Sequence, residues 1–501
     1  MKKNLFYTIS LFGLTSLLLT SCLKDEDPVH KEDPVIANNK YVNNWLYDDV
    51  MSLYYLWNDK IPSGLDEKIN PDAYFNSMLY KYDKNLAPDG DRFSWIQENY
   101  VELLESLSGV VHNELGFDYK WYGYNQNLVF GEFAFIKKNT DAAARGLRRG
   151  QVFTHVNNVQ ITMDNYSTIL SDAASNASIA LRVYDVELDI DAALIDFKNR
   201  KDIAINLLSR YAEDPVYLDT VYTINGKTIG YLVYNFFAAD AGDETGSYDL
   251  ALNRVFDRFR NRGVDNLILD LRYNSGGRIT SAIHLSSMIV KDLSTNNVFS
   301  RMEYNREYNN WLINRYGADY LLYKFSNKVT VYGRDGKEKS AHDLNNIGNL
   351  QSLTVLTGSW TASASEMVIN GLMPYMDVFL IGNTTIGKNV GSATFYEEDD
   401  SRNKWGVQPI IAKYYNSQGK SDFTSGFTPD FSDPDTWNMP KKELGDIDEA
   451  LLSVAIRHIM GEALFRGPST RSAPSPTFLQ EIGSSLDNKP WRNQIIIEKK
   501  R

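Results

Sequence analysis

A multidomain α/β fold is predicted by three features of the chain. Its 501 residues exceed the roughly 100–200 that one core usually organises, so two to four compact units are expected. Near the amino terminus apolar residues recur at helical spacing, and they then give way to a β-rich stretch. Beyond Thr220 short apolar runs alternate with helical segments, the pattern of an α/β core. With 43% hydrophobic and 23% charged residues the composition is globular, which confines long disorder to the ends.

Residues 1–21 join Lys2 and Lys3 to an apolar stretch too short to span a bilayer comfortably, and they end in small residues, as secretory signals do. The one cysteine, Cys22, follows Leu19, Thr20 and Ser21, a run that resembles the lipobox of bacterial lipoproteins, where the cysteine is lipidated and becomes the first residue. That resemblance implies an exported protein of the bacterial cell envelope, lipid-anchored at the outer membrane on its periplasmic or its outward face. Two acyl chains suffice for stable anchoring, so the membrane is an expected partner without a spanning helix. No other thiol remains for a disulfide, a thiolate metal site or a cysteine nucleophile. Residues 22–39, with EDPV at 26–29 and again at 32–35, are too charged to bury apolar surface and are expected to form a tether.

Residues 40–108 contain YVNNWLYDDVMSLYYLW and PDAYFNSMLYKY, which predict a small helical domain, followed by the turn-rich APDGDRFSW. Residues 109–187 carry ELGFDYKWYGYNQNLVFGEFAFI and DAAARGLRRGQVFTHVNNVQI and are expected to form a β-rich domain. The α/β core is placed at 188–465, with strands in GKTIGYLVYNFF, VDNLILDLR, SLTVLTGSW, DVFLIGN and WGVQPIIAKYY. A helix in GDIDEALLSVAIRHIMGEAL closes it, and the Pro/Ser-rich residues 466–501 read as an appended tail.

Three stretches carry residues suited to chemistry. TASASEMVINGL, 361–372, puts Ser363 at a strand-to-helix turn, where Ser363 and Glu366 also make a capping box. A nucleophile at a helix start gains from backbone N–H groups that stabilise an oxyanion, Ala364 N–H being the first candidate. LILDLRYNSGGRI, 267–279, ends in Gly276 and Gly277, which let the backbone approach a substrate and offer a second N–H. GNTTIGKN, 382–389, is close to a phosphate-binding loop, but Asn389 stands where a hydroxyl would ligate magnesium and VGSATFYEEDD follows with strand alternation, so no nucleotide is expected.

Together these stretches resemble the C-terminal processing, or tail-specific, serine peptidases, with Ser363 and Lys388 standing 25 residues apart. The resemblance covers roughly residues 40–465. It implies a ClpP/crotonase-like α/β catalytic core, Ser363 rather than Ser365 as nucleophile, Lys388 as base, and an oxyanion hole from Ala364 with Gly276 or Gly277. A lysine base must be neutral, so burial has to lower its pKa from about 10.4 toward 7–8, about 4 kcal/mol of desolvation. Family members often place a glutamine four residues after the lysine. Ser392 stands there, which makes Ser392 and Glu366 the candidate orienting residues. Leu115, Gly116 and Phe117, with ARGLRRGQVFTHVNNV, resemble a PDZ domain, whose loop N–H groups hold a peptide's terminal carboxylate while the peptide adds to the sheet edge. The implied substrates are polypeptides with free C-termini. The alternative is a catalytically weak or inactive peptide-binding lipoprotein of the same fold.

Other classes find no support. Acidic residues outnumber basic ones, 64 to 52, and no Lys/Arg stripe tracks a phosphate backbone, so nucleic acid is not an expected partner. None of His30, His112, His155, His284, His342 and His458 lies in a triad motif, and no H-E-x-x-H occurs. No metal and no cofactor is expected.

Overall fold

The computed structural model describes residues 32–124, 127–189, 194–432, 440–464, 479–489 and 495–497. The expected signal segment and Cys22 lie outside the described residues. Helix α1 (Pro34–Trp45) starts inside the stretch read as tether. Asp33 accepts the Val35 N–H at 2.8 Å and Pro34 occupies the first turn, so the second EDPV is a helix start and the tether cannot extend to residue 39. With α2 (Pro71–Met78) and α3 (Tyr100–Leu107), the helical unit packs on the core: Val42, Leu46, Met51, Tyr55, Phe75 and Met78 share one cluster with Val407.

The second unit is an antiparallel sheet of β1 (Phe117–Tyr124), β2 (Leu128–Ile136), β3 (Val152–Val156), β4 (Ser178–Asp189) and β5 (Leu194–Asn206), adjacent in that order. Phe117, Trp121, Phe133 and Phe153 fill its interior. The boundary expected at 187 is wrong, because β5 pairs with β4 from Asn206 back to Leu194. Most of β5 is exposed and its middle is charged, so it lacks the apolar alternation by which a strand is recognised.

The core strands are β6 (Val216–Ile224), β7 (Lys227–Tyr234), β8 (Asn266–Asp270), β9 (Gly277–Arg278), β10 (Val298–Tyr304), β11 (Leu322–Lys324), β12 (Ser352–Thr357), β13 (Val378–Gly382), β14 (Val390–Ser392), β15 (Ile410–Tyr415) and β16 (Phe431–Ser432). One sheet runs β6-β7-β8-β12-β13-β16 and is parallel from β7 onward. Its strands read as continuous apolar runs because both faces are covered. Helices α4 (Ser247–Asn261), α5 (Ile279–Ile289) and α6 (Ala364–Leu372) cover one face, and α7 (Ala450–Ile459) the other.

The tail is not an appendage. β17 (Leu479–Ser484) pairs antiparallel with β1, and β18 (Ile495–Ile496) enters a second core sheet ordered β9-β18-β14-β15-β10-β11. A two-residue strand has no period to read, and its partners lie more than a hundred residues away in sequence.

Candidate active site

Strand β12 delivers the chain to a tight turn, and α6 leaves it with Ser363 as N-cap at φ +65° and ψ −116°. A positive φ at a non-glycine residue outside a simple turn costs on the order of 1–3 kcal/mol and persists only where packing enforces it. Ser363 is fully buried, and among the described residues its hydroxyl has no hydrogen-bond partner. The capping role weighed for it is therefore half filled. Glu366 reaches back to the Ser363 N–H at 2.8 Å, while the serine Oγ stays available. Ala364 opens the helix, where N–H groups lack intrahelical acceptors. Ser365 is tied down instead, its Oγ donating to the Asn274 carbonyl at 3.0 Å.

The glycine loop leaves β8 under strict control. Arg272 is held by Asp270 and by a two-pronged contact to Glu449, at 2.6 and 2.9 Å, and Arg149 of the second unit approaches the same Glu449 at 3.4 Å. Asn274 donates to the Tyr234 carbonyl at 2.8 Å and accepts the Gly276 N–H at 2.9 Å. That commits Gly276 to the loop itself and leaves Gly277 as the candidate second oxyanion donor. A side chain at 277 is excluded: its Cβ would stand 2.1 Å from the Phe237 carbonyl oxygen, at φ +137°.

The loop after β13 turns at Gly387, φ +84°, where a Cβ would meet the Thr424 carbonyl at 2.4 Å. The turn aims the N–H groups of Gly387 and Lys388 at Glu366, at 2.6 and 2.8 Å, and the Thr385 hydroxyl adds a bond of 2.5 Å. A loop that resembles a phosphate cradle thus spends its donors on an internal carboxylate. Burial pushes the Glu366 carboxyl above its ordinary range, against the pull of these four donors. Tyr414 lies within hydrogen-bond distance of two carbonyls, Lys388 at 3.0 Å and Ser363 at 3.3 Å, and so braces the same two turns from the other side.

Lys388 is fully buried, and its Nζ lies 4.8 Å from the centre of the Phe93 ring. Desolvation lowers its pKa to about 7, opposed by Asp91 and Glu366 and assisted by Arg92. The dryness comes from the helical unit. Asp91 is itself buried, accepting the Tyr55 hydroxyl at 3.0 Å, and Arg92 donates to the Gly387 carbonyl at 2.6 Å. In the sequence, APDGDRFSW is marked only as turn-rich. No local cue marks Asp91, Arg92, Phe93 or Tyr414, because their roles depend on a lysine and a serine far along the chain.

The remaining candidates fall as follows. Ser392 lies buried in β14, its carbonyl accepting the Ile497 N–H at 2.8 Å. Glu366 joins the Ser363 and Lys388 turns directly. The loop of Leu115, Gly116 and Phe117 is not an open carboxylate nest in this structure: Gly116 N–H donates to Glu114 Oε1 at 2.8 Å, and the neighbouring edge of β1 is covered by β17. An acidic side chain one residue before the Leu-Gly-Phe run satisfies the donor that a ligand would have used. His284, which lies in no triad motif, sits beside Asp249 and Ser281, yet Thr330 N–H occupies its Nε2 at 3.3 Å and the Ser281 hydroxyl points to Asp249, so the three do not form a relay. Among the described residues no three His, Cys, Asp or Glu side chains group to hold a metal.

Comparison with known proteins matches "Peptidase family S41" to residues 228–432 and "Peptidase S41 N-terminal domain" to residues 41–95. The carboxyl-terminal-processing protease of Synechocystis sp. is 24% identical over 205 residues, covering 41% of this chain and 38% of that protein. The carboxy-terminal processing protease CtpA of Bacillus subtilis is 23% identical over 218 residues, 43% of this chain and 37% of that one. The chain thus spans less than two-fifths of the length of either relative. The crystal structure of a putative S41 protease from Bacteroides fragilis shares the fold, with a TM-score of 0.62 and 24% identity over 83% of this chain and 97% of that one.

Proposed function

The chain belongs to peptidase family S41, and from that premise we propose that it is a serine peptidase in which Ser363 is the nucleophile and Lys388 the general base. Neutral Nζ of Lys388 takes the Ser363 proton as Oγ bonds to the peptide carbonyl carbon. The N–H groups of Ala364 and Gly277 receive the oxyanion, and collapse expels the amine, which leaves with the proton held on Nζ. Water then attacks the acyl-enzyme through the same base. One observation carries the reading: a strained, buried serine with an unpartnered hydroxyl shares its anchoring carboxylate oxygen with a lysine whose pKa burial lowers to about 7.

The substrates we propose are unstructured polypeptides with free C-termini, a reading supported by the names of the similar proteins from Synechocystis and Bacillus subtilis. Antiparallel addition of a peptide to the β1 edge of a PDZ-like second unit, in place of β17, would present them, and the antiparallel seating of β17 on β1 supports that mode. We further propose lipidation at Cys22 and attachment to the cell envelope, on the Leu-Thr-Ser-Cys run. Incorporation of labelled fatty acid, lost in Cys22→Ala, tests the anchor.

The activity test is hydrolysis of an unstructured protein by the chain from residue 23, beside Ser363→Ala and Lys388→Ala. Cleavage by the wild type alone is the expected result. Binding of the protein by a folded wild type that never cuts it would replace this reading with peptide capture.

A further inference from the structure

The chain's own C-terminal segment fills a one-strand gap in the second core sheet, and we propose that this gap is the substrate-strand site, with β18 its intramolecular competitor. The proposal rests on the peptidase reading of Ser363 and Lys388. It adds where the substrate backbone lies, what side chains it presents and what occupies the site beforehand.

β18 lies between β9 and β14 and runs parallel to both. Gly277 faces Ile495, Arg278 faces Ile496, and on the other side Ser392 faces Ile496, with the Ile497 N–H donating to the Ser392 carbonyl at 2.8 Å. A strand this short draws its placement from main-chain bonds to two neighbours, which is how an extended peptide joins a sheet. Both flanking strands come from the catalytic machinery. β9 begins at Gly277, the candidate oxyanion donor, and β14 begins two residues after Lys388. With β18 withdrawn, two strand edges would face each other about 10 Å apart, twice the interstrand spacing and the width of a single extended chain.

The side chains of the occupant report specificity. Ile496 is buried against Leu103 and Leu107 of α3, and Ile497 is buried in the main core cluster. Successive residues of an extended segment point to opposite faces, so the gap accepts two adjacent aliphatic side chains, one toward the helical unit and one toward the core. The proposed substrate class is therefore an extended polypeptide segment with consecutive aliphatic residues.

The occupant is tethered close by. β17 is paired to β1, Ser485 Oγ donates to Asp118 Oδ1 at 2.7 Å, and Lys489 pairs with the same carboxylate. β18 starts six residues after Lys489. A connection that short holds its end at an effective concentration on the order of millimolar, so a weak substrate must compete against it.

The test uses full-length chains. Ile496→Asp sets a carboxylate against Leu103 and Leu107, and Ile497→Pro removes the N–H that reaches Ser392. In a Ser363→Ala background, affinity for a labelled peptide of sequence QIIIEKKR (residues 494–501) should rise about tenfold in either variant, because the competitor has left. With Ser363 restored, kcat/KM on an aliphatic peptide should rise similarly, and the unlabelled peptide should inhibit competitively. Folding is checked by thermal melting, and Ile497→Pro decides the matter if Ile496→Asp does not fold. Unchanged peptide affinity and unchanged kcat/KM, in a folded variant of an enzyme that does cleave, would overturn the proposal while leaving the peptidase reading intact. Gain of peptide binding with no Ser363-dependent cleavage in any chain would uphold the gap as a peptide site and overturn the peptidase reading.

Discussion

The backbone N–H of Lys388 donates to Glu366 Oε2 at 2.8 Å, and the same oxygen holds the Ser363 N–H at the same distance. Neither catalytic candidate touches Glu366 with its side chain in these two bonds. The carboxylate sets the spacing of two turns, and its negative charge also raises the lysine's pKa against the effect of burial.

Glu366→Gln should therefore do two separable things. An amide NH2 must face at least one of the donors from Ser363, Thr385, Gly387 and Lys388, and a buried donor left without an acceptor costs about 1–3 kcal/mol, seen as a lower Tm. Loss of the charge should also move the pH–activity curve to lower pH, because one group that raises the lysine's pKa is gone. A lower Tm with an unmoved pH curve would make Glu366 purely structural.

Cleavage should rise with pH about a midpoint near 7, the value to which burial brings Lys388, since only the neutral amine accepts the serine proton. Rate against pH at subsaturating substrate measures it. A flat profile from pH 6 to 9 would mean that a different group is the base.

The same lysine should weaken the fold. Its ordinary pKa of 10.5 falls to about 7 on folding, so below pH 7 both states carry the ammonium and the folded state bears the whole desolvation penalty. Between about 7 and 10.5 the unfolded chain holds a proton that the folded chain lacks, and stability rises with pH across that window. Lys388→Met should abolish cleavage yet stabilise the protein, by up to about 5 kcal/mol below pH 7, with the gain fading toward pH 10. Denaturant titrations at pH 6 and pH 9.5 check the sign.

Ser363→Ala removes a buried hydroxyl without a partner but keeps the positive φ, so it should be inactive with stability equal to or slightly above wild type. Ser363→Gly also relieves the backbone and should melt higher still, by about 1–2 kcal/mol. Ser365→Ala loses only the bond to the Asn274 carbonyl and should retain cleavage with about 1 kcal/mol less stability. Equal loss of activity in the 363 and 365 variants would reject Ser363 as nucleophile.

Gly277→Ala should fail on sterics, since its Cβ would lie 2.1 Å from the Phe237 oxygen. Displacing that peptide moves the candidate oxyanion donor, for which we expect a fall in kcat of about a hundredfold or more, with KM less affected.

Much of this protein was legible in the sequence because the relevant forces are short-ranged. Apolar runs bounded by turns marked β7, β8, β12, β13 and β15, the amphipathic spacing of 450–459 marked α7, and Gly276 and Gly277 marked a loop of close backbone approach. Ser363 could be placed at a strand-to-helix turn from its neighbours alone. The tertiary structure decided what those residues experience. The dryness of Lys388 comes from Phe93 and its neighbours, some three hundred residues earlier in the chain, and the bracing of both turns comes from Glu366 and Tyr414. The fate of the C-terminal segment was likewise undecidable locally: three consecutive isoleucines in a charged tail carry no strand period, and the facing edges of β9 and β14, assembled by folding, give their backbone groups partners. Desolvation and strand pairing depend on what surrounds a group in space, and sequence neighbours do not contain that information.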